Sequence, residues 1–406
     1  MIVTDILKKE KFFRLEFANQ RINMKILYVN GKNNNGGANI ALLNIVKGML
    51  QKGHEVHVIT DNHPGFFLGE IKKTACTLHT CSCALNIRVS NKVRNPITIF
   101  NYYAYHLYTW FSQKRFINHV IQEIKPDVVH TNIGPLTTAA EVCIELGIPH
   151  VWHIREYGAA LGYHIFPSIT HFQKLLYNDK NYCIAITKGI FGYYNMRYNH
   201  DCCIYDGVFP QTNISQAILK EKKDYILFVG RIEEAKGVKE LLDAYILFRK
   251  KEKSLRLLLA GSFDLESSYY KACLKIIEAN DLQDCVEFLG IRNDVYILMS
   301  RAKFLVVPSP MEGFGFITAE AMLNYCPVIG KDCYGTKEQF DNGLIWTGGE
   351  IAYRYQNMNE LVNCMHKAIN ENTDEMVFRA HKVLTNYTIE HNVMQIECFY
   401  NKLIKR

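Results

Sequence analysis

Short runs of consecutive apolar residues alternate along this chain with longer stretches of helical spacing. Met24–Asn30 (MKILYVN) has the pattern of a strand buried on both faces. The loop Gly31–Gly37 (GKNNNGG) follows, then helical spacing over Ala38–Gln51, with Ile40, Leu43, Val46, Met49 and Leu50 as its apolar positions. Gly53 ends that helix, and Val56–Thr60 (VHVIT) reads as the next strand. Further strands are predicted at Asp127–His130, Ile148–Trp152 and Cys183–Ile186. Around Asp206–Ser215 the pattern breaks into a polar stretch with a proline. A second series then begins, with strands at Tyr225–Val229, Arg256–Ala260, Val286–Leu289 and Phe304–Val307 and helices at Val238–Arg249 and Ile317–Asn324. Thr388–Arg406 has the spacing of an amphipathic helix. Two consecutive α/β series predict two Rossmann-like domains facing each other across a cleft.

Composition narrows the class. The 406 residues are 48% hydrophobic, enough for two globular cores. No apolar run reaches the ~18 residues of a spanning helix, and the N-terminus lacks the uninterrupted apolar run of a signal peptide. Residues 1–23 read as an N-terminal extension, with Met24 as an alternative start. Thirteen cysteines are scattered without a CxxC pair, which predicts cytosolic free thiols. From Ile71 to Gln122 there is no acidic residue. That stretch holds Lys72, Lys73, Arg88, Lys92, Arg94, Lys114 and Arg115, interleaved with Phe100, Tyr102, Tyr103, Tyr105, Tyr108, Trp110, Phe111 and Phe116. Two readings stay open: an anionic membrane surface as partner, or a helix that packs its aromatics inward. Nucleic acid is disfavoured, because no binding motif accompanies the patch.

Candidate chemistry gathers at predicted strand ends. In Phe228–Gly237 (FVGRIEEAKG), Arg231 and Lys236 stand where a strand gives way to a helix and can clamp a diphosphate. A solvated turn is the plainer reading of the same residues. Gly36 and Gly37 let backbone N–H groups approach a phosphate, but the loop fits neither GxGxxG nor GxxxxGK[ST]. That disfavours a dehydrogenase or a P-loop ATPase. In Val151–Gly158 (VWHIREYG), His153 ends a strand-like run beside Arg155 and Glu156, and Asp127–Asn132 (DVVHTN) is a weaker instance. Pro308–Gly330 places Glu312 in a glycine turn and Glu320 in the following helix. Carboxylates accept hydrogen bonds from vicinal hydroxyls, and the amides from Gly313 to Phe316 can reach ligand oxygens. A sugar nucleotide fits this corner better than a nicotinamide cofactor. No DxD occurs, so metal-independent chemistry without a resident cofactor is expected.

In this order and spacing, EGFGFITAE (312–320), FVGRIEEAKG, GGA (36–38) and CIYDGV (203–208, with Asp206 where Asn is usual) resemble the family 4 retaining glycosyltransferases. The HTN and HIRE segments (130–132 and 153–156) resemble members that build bacterial surface or capsular polysaccharide. The resemblance implies the GT-B fold, with an acceptor-binding domain over 24–206, a donor-binding domain over 207–387 and a helix over 388–406 crossing back. It implies that Arg231 and Lys236 bind the donor diphosphate and Glu320 the ribose. Glu312, with the backbone of Phe314 and Gly315, would hold the sugar. Gly36 and Gly37 would meet phosphate, His153 the transferred sugar, and Ile291 in the Gly290–Arg292 turn the base. Expected partners are a nucleotide-sugar donor and a glycan or lipid-linked glycan acceptor, at the inner membrane face. A UDP-sugar epimerase of the same architecture and a non-catalytic nucleotide-sugar-binding protein are the alternatives.

Overall fold

The computed structural model describes residues 23–83, 85, 87–89, 96–158 and 163–405. The N-terminal extension up to residue 22, and Lys92 and Arg94, lie outside the described residues, as do the side chains of Arg88 and Tyr102. Two compact units form. One comprises Met1–Ile184, Arg197–Cys202 and Val393–Arg406, the other Ala185–Met196 and Cys203–Asn392.

The first unit is built on β1 (Lys25–Val29), β2 (Glu55–Asp61), β3 (Thr77–Cys81), β4 (Ile87–Val89), β5 (Val128–Thr131), β6 (His150–Ile154), β7 (Tyr163–Ile165), β8 (Asn181–Ala185) and β9 (Cys202–Cys203). Seven of these form one sheet in the order β3-β2-β1-β5-β6-β8-β9, and β4 pairs antiparallel with β7. β1 sits centrally, parallel to β2 (Leu27 opposite His57) and to β5 (Leu27 opposite Val129). Its residues Ile26–Val29 are fully buried, because a parallel strand covered by helices on both faces leaves no side for a polar residue. Leu27, Val29, Ile59 and Val129 pack with Ile117, Val120 and Ile121 of the long helix Pro96–Ile124.

That helix divides lengthwise. Its C-terminal part supplies the core, whereas Ile97, Phe100, Tyr103, Leu107, Tyr108 and Phe111 are exposed. The inward-packing alternative therefore fails for most of the aromatic run, although Trp110 and Phe116 are half-buried.

The second unit has β10 (Tyr225–Val229), β11 (Arg256–Ala260), β12 (Val286–Gly290), β13 (Phe304–Val307), β14 (Val328–Lys331) and β15 (Tyr353–Tyr355), in the order β12-β11-β10-β13-β14-β15. All its pairings are parallel. Ile226, Phe228, Leu257, Leu259 and Val306 pack against Val238, Leu241, Leu242 and Tyr245 of the helix Val238–Arg249. The predicted strands and helices coincide with observed elements to within about two residues at each end, whereas β3, β14 and β15 were not among the predicted strands.

The final helix, Ile389–Ile404, contributes its last part to the first unit. There Glu397 accepts from Lys52 Nζ at 2.7 Å and from His54 Nε2 at 3.0 Å. His54 Nδ1 already accepts from the Met24 amide, which leaves Nε2–H as the donor. The bond from His54, with that from Lys52, holds the Glu397 carboxyl at about 2. A depressed carboxylate stabilises the fold above its ordinary value, and the contribution is lost as pH falls toward the folded value. Glu397→Gln should therefore lower stability at pH 7 by roughly 1–3 kcal/mol. Wild type and variant should converge as the pH approaches 2, checked by denaturant unfolding across that range.

Candidate active site

In the second unit three adjacent strands, β12, β11 and β10, run out at Gly290, Gly261 and Gly230. Gly261 has φ +148°, and a Cβ there would fall 1.9 Å from the Gly230 carbonyl oxygen, so only glycine lets these strand ends approach. The chain leaves Gly230 through Arg231 into a 3₁₀ turn, Glu234–Lys236. Lys236 closes that turn instead of opening the next helix, as the sequence pattern had placed it. Gly237, in the left-handed region at φ +70°, separates the two.

The Lys236 stem folds back to 3.9 Å from the Cβ position of Gly230, and its ammonium meets Glu312 Oε1 at 2.7 Å. Both partners are largely shielded, with side chains 25% and 18% exposed, so the pair is more than a solvated surface contact. Arg231 does not join it. Its side chain is 67% exposed and pairs with Glu233 at 2.9 Å.

The loop from Glu312 to Gly315 is held by its carbonyls. Glu312 O accepts from the Gly335 amide at 3.0 Å, and Gln339 Nε2 donates to Phe314 O at 2.6 Å and to Gly315 O at 2.9 Å. In a trans peptide the next N–H points opposite to the carbonyl. The amides of Gly313, Gly315 and Phe316 therefore point away from the helix Tyr334–Thr347 that carries Gly335 and Gln339. Gly315 caps the helix Phe316–Leu323 at φ +94°, a left-handed conformation that suits glycine. This corner thus presents N–H groups at a helix N-terminus beside Lys236 and Glu312.

Glu320 lies in the second turn of that helix, half-buried, with Tyr296 Oη 3.4 Å away. Burial pushes its carboxyl up to about 7. Ile291, directly after the end of β12, is 75% exposed, and Arg292 beside it pairs with Asp294.

In the first unit Gly36 caps the helix Gly37–Gln51, and its amide donates to Asn34 Oδ1 at 3.0 Å. No protein atom lies within 4 Å of a Cβ placed on Gly37. Packing within the described residues therefore does not require glycine there.

A chain of buried amides ties this loop to His153. Asn39 donates to the carbonyls of Lys32 and Asn34 at 2.7 and 2.8 Å, and receives Asn30 Nδ2 at 3.0 Å. Asn132 donates to Asn30 Oδ1 at 3.1 Å, and Arg155 Nε donates to Asn132 at 3.1 Å. Arg155 Nη2 then reaches His153 Nδ1 at 3.2 Å. The structure thus joins Gly36, Gly37 and His153 in one network. Asn30 and Asn39, which the sequence reading passed over, are members of it, and His130 of the HTN segment joins through His153. The available signal was a polar residue closing an apolar run, as Asn30 does after ILYV. Glu156 accepts from the Gly134 amide at 3.1 Å, and burial pushes its carboxyl up to about 7.

Beside the glycine loop a pocket of about 820 Å³ opens, lined by Lys32, Asn34, Asp61, His63, Phe66 and Tyr105 among others. Asp61 Oδ1 meets His63 Nδ1 at 2.5 Å on its wall. Among the described residues no three His, Cys, Asp or Glu side chains converge as a metal site requires, and no helix is long and apolar enough to cross a membrane.

Residues 210–383 match the family model described as glycosyl transferases group 1, and residues 35–191 match glycosyltransferase family 4. The chain is 30% identical over 152 residues to a human alpha-1,3/1,6-mannosyltransferase, a match covering 34% of this chain and 36% of that protein. It is 21% identical to N-acetyl-alpha-D-glucosaminyl L-malate synthase of Bacillus anthracis over 89% of this chain and 95% of that one. Among solved structures, Anabaena HepE in complex with UDP-glucose is similar at TM-score 0.71 and 19% identity, covering 94% of this chain and 100% of its own. A glycosyltransferase from Rickettsia africae is similar at TM-score 0.73 and 15% identity, over 95% and 100%. With the two parallel sheets, these likenesses show the GT-B fold.

The Glu320 carboxyl has a testable consequence. The folded protein keeps this proton up to about pH 7, while an ordinary carboxyl releases it near 4.5. Ionisation therefore costs stability progressively between these values, and the full penalty stands above 7. Glu320→Gln should melt higher than wild type at pH 8 and equally at pH 4, read by calorimetry without ligand.

Proposed function

The chain belongs to the family 4 glycosyltransferases, and on that premise we propose that it moves a sugar from a nucleoside diphosphate to a hydroxyl of a glycan or lipid-linked glycan, with retention of the anomeric configuration. The observation that carries this reading is the Lys236–Glu312 pair at 2.7 Å, set beside outward-facing amides at a helix start. A cation and N–H groups suit a diphosphate, and a carboxylate suits sugar hydroxyls. The two side chains satisfy each other. A bound donor would engage each with its own part, phosphate oxygens for Lys236 and hydroxyls for Glu312.

In the proposed reaction the bond from C1 to the β-phosphate oxygen breaks and the electron pair stays with the diphosphate. Positive charge grows at C1. The acceptor hydroxyl attacks from the same face, and its proton passes to the departing phosphate oxygen beside it. Lys236 and the loop amides stabilise the negative charge as it develops, in a fixed geometry that needs little reorganisation. Exposed Arg231 adds a second cation on engaging phosphate. The proposal assigns charge neutralisation to these groups in place of a divalent metal. Glu320 takes the ribose hydroxyls, Ile291 packs against the base, Gly36 and Gly37 approach phosphate, and His153 contacts the sugar in transit. HepE, seen with UDP-glucose, makes a UDP-linked donor the first to test.

The acceptor side rests on the pocket beside the glycine loop, where exposed Phe66 and Tyr105 offer aromatic faces. The exposed Ile97, Phe100, Leu107, Tyr108 and Phe111 belong to the same helix as Tyr105. With no acidic residue from Ile71 to Gln122, this helix suits peripheral contact with an anionic bilayer at its cytoplasmic face, and so an acceptor in surface polysaccharide assembly.

Lys236→Ala should lower kcat for nucleoside diphosphate release at least about a hundredfold while the melting profile stays cooperative. Unchanged turnover would overturn the assignment. Replacing both Phe100 and Tyr108 with Asp should abolish flotation with phosphatidylglycerol vesicles and spare transfer to a water-soluble acceptor. A wild-type chain that never floats removes the membrane partner and leaves the transferase.

A further inference from the structure

The wall of the pocket beside the glycine loop carries a pair of thiols that the transfer chemistry does not use. β3 ends at Cys81, and Cys83 follows two residues on. Residues two apart along a strand point to the same side, and here Cys81 Sγ lies 3.2 Å from Cys83 Sγ. Both are free thiols, Cys81 half-buried and Cys83 fully buried, and Cys83 lines the pocket. The segment is pinned along its length. The Asn62 amide donates to the Cys81 carbonyl, Gln113 Nε2 to the Ser82 carbonyl, and the Cys83 amide to Asp61 Oδ2, each at 3.0 Å. Asp61 turns its other oxygen to His63 Nδ1 at 2.5 Å.

Two sulfurs this close, one of them reached by solvent, are arranged for thiol–disulfide exchange. The thiolate is the attacking form, and access decides which sulfur starts. Cys83 is badly placed to start. The Cys81 hydrogen bond first, and burial second, hold its thiol well above the usual cysteine value. Cys81 is the sulfur that a small oxidant meets, with Cys83 behind it as the resolving thiol.

We propose that Cys81 and Cys83 are a redox modification site on the pocket wall, closed to an intramolecular disulfide by a low-molecular-weight disulfide such as oxidised glutathione. Cys81 gives up its proton and attacks one sulfur of the oxidant. The oxidant's S–S bond breaks, and one half leaves as a thiolate that takes a proton. Cys83 then gives up its proton and attacks Cys81 Sγ, and the second half leaves in the same way. Two cysteine thiols are oxidised, and the oxidant is reduced to two thiols. In the mixed disulfide Cys81 has no thiol left to oppose ionisation of Cys83, which removes the first cause of its high value. A bond across one intervening residue closes a small ring, and a strained disulfide is readily reduced, so a dithiol restores the pair. Closure needs sulfurs about 2.05 Å apart, which draws these two together by about 1 Å. The Cys83 amide is tied to Asp61, so closure acts on Asp61 and, through it, on His63. Under the transfer reading this is the acceptor side, and acceptor use would follow the thiol state. The disulfide itself does not rest on that reading.

The test uses the full chain without ligand, incubated with oxidised glutathione, then alkylated in denaturant and digested for mass spectrometry. The peptide holding both cysteines should lose two hydrogens and resist alkylation at both sulfurs. Dithiothreitol should restore both thiols. Cys83→Ser should stop at a glutathione adduct on Cys81, and Cys81→Ser should leave Cys83 a thiol. Two alkylated thiols in the oxidant-treated wild-type chain, or a lasting glutathione adduct on its Cys81, overturns the proposal.

Histidine-ring NMR on the same samples reads the pocket, with His63 assigned by His63→Gln. The His63 signals should move on oxidation and return with dithiothreitol. They should stay in place in Cys81→Ser given the same oxidant. Unmoved His63 signals in a chain that carries the disulfide would overturn the link to the pocket. A reversible disulfide in a chain that consumes no nucleotide sugar would instead sink the transfer reading and leave the thiol pair standing.

Discussion

A parallel strand covered on both faces has no side on which to keep a polar group, and this constraint arranges the whole protein. Ile26–Val29 of β1 and Ile226–Leu227 of β10 are fully buried, as are Val128 and Val129 of β5. Chemistry is left to the places where strands stop: Asn30 after β1, Asn132 after β5, Arg231 after β10, and the Glu312 loop after β13. In each unit the candidate groups thus sit at carboxyl ends of strands, where helix N-termini also present free N–H groups.

The exceptions are instructive. His130 and His153 lie inside strands and are fully buried. An unpaired buried polar group costs roughly 1–3 kcal/mol, so such residues must be satisfied by one another. The network from Asn39 through Asn30, Asn132 and Arg155 to His153 does this for most of its polar atoms with side-chain and backbone partners, leaving His153 Nε2 without one among the described residues. It connects the glycine loop to His153 through a continuous series of hydrogen bonds. The Lys236–Glu312 pair is the counterpart in the second unit: two charges that hold each other in place.

Much of this was legible in advance because the strands are short, apolar and bounded by glycine. The periodicity located β1, β2, β10, β11 and β13 and the helix Val238–Arg249 nearly to the residue. The motif carrying Glu312 and Glu320 was visible for the same reason: glycine spacing and a helix start leave a local imprint. What stayed hidden depended on partners far away in sequence. Tyr400 meets His130 across 270 residues, and nothing near either residue announces it. The orientation of the long helix was also undecided. An alternation of aromatic and basic residues fits burial and exposure equally well until the sheet fixes which face it covers.

The sequence by itself determined the two α/β series, the corners at their strand ends and the residue types those corners hold. These follow from local period, from glycine and from charge. Tertiary structure alone decided which of the residues touch: that Lys236 turns to Glu312 while Arg231 turns to Glu233, and that Arg155 donates to His153. It also turned the aromatics at 100 to 111 largely outward. The reason is physical. Period and propensity act over a few residues, but a hydrogen bond between distant side chains exists only once the sheet has fixed their distance and the surrounding packing has removed water as a competitor.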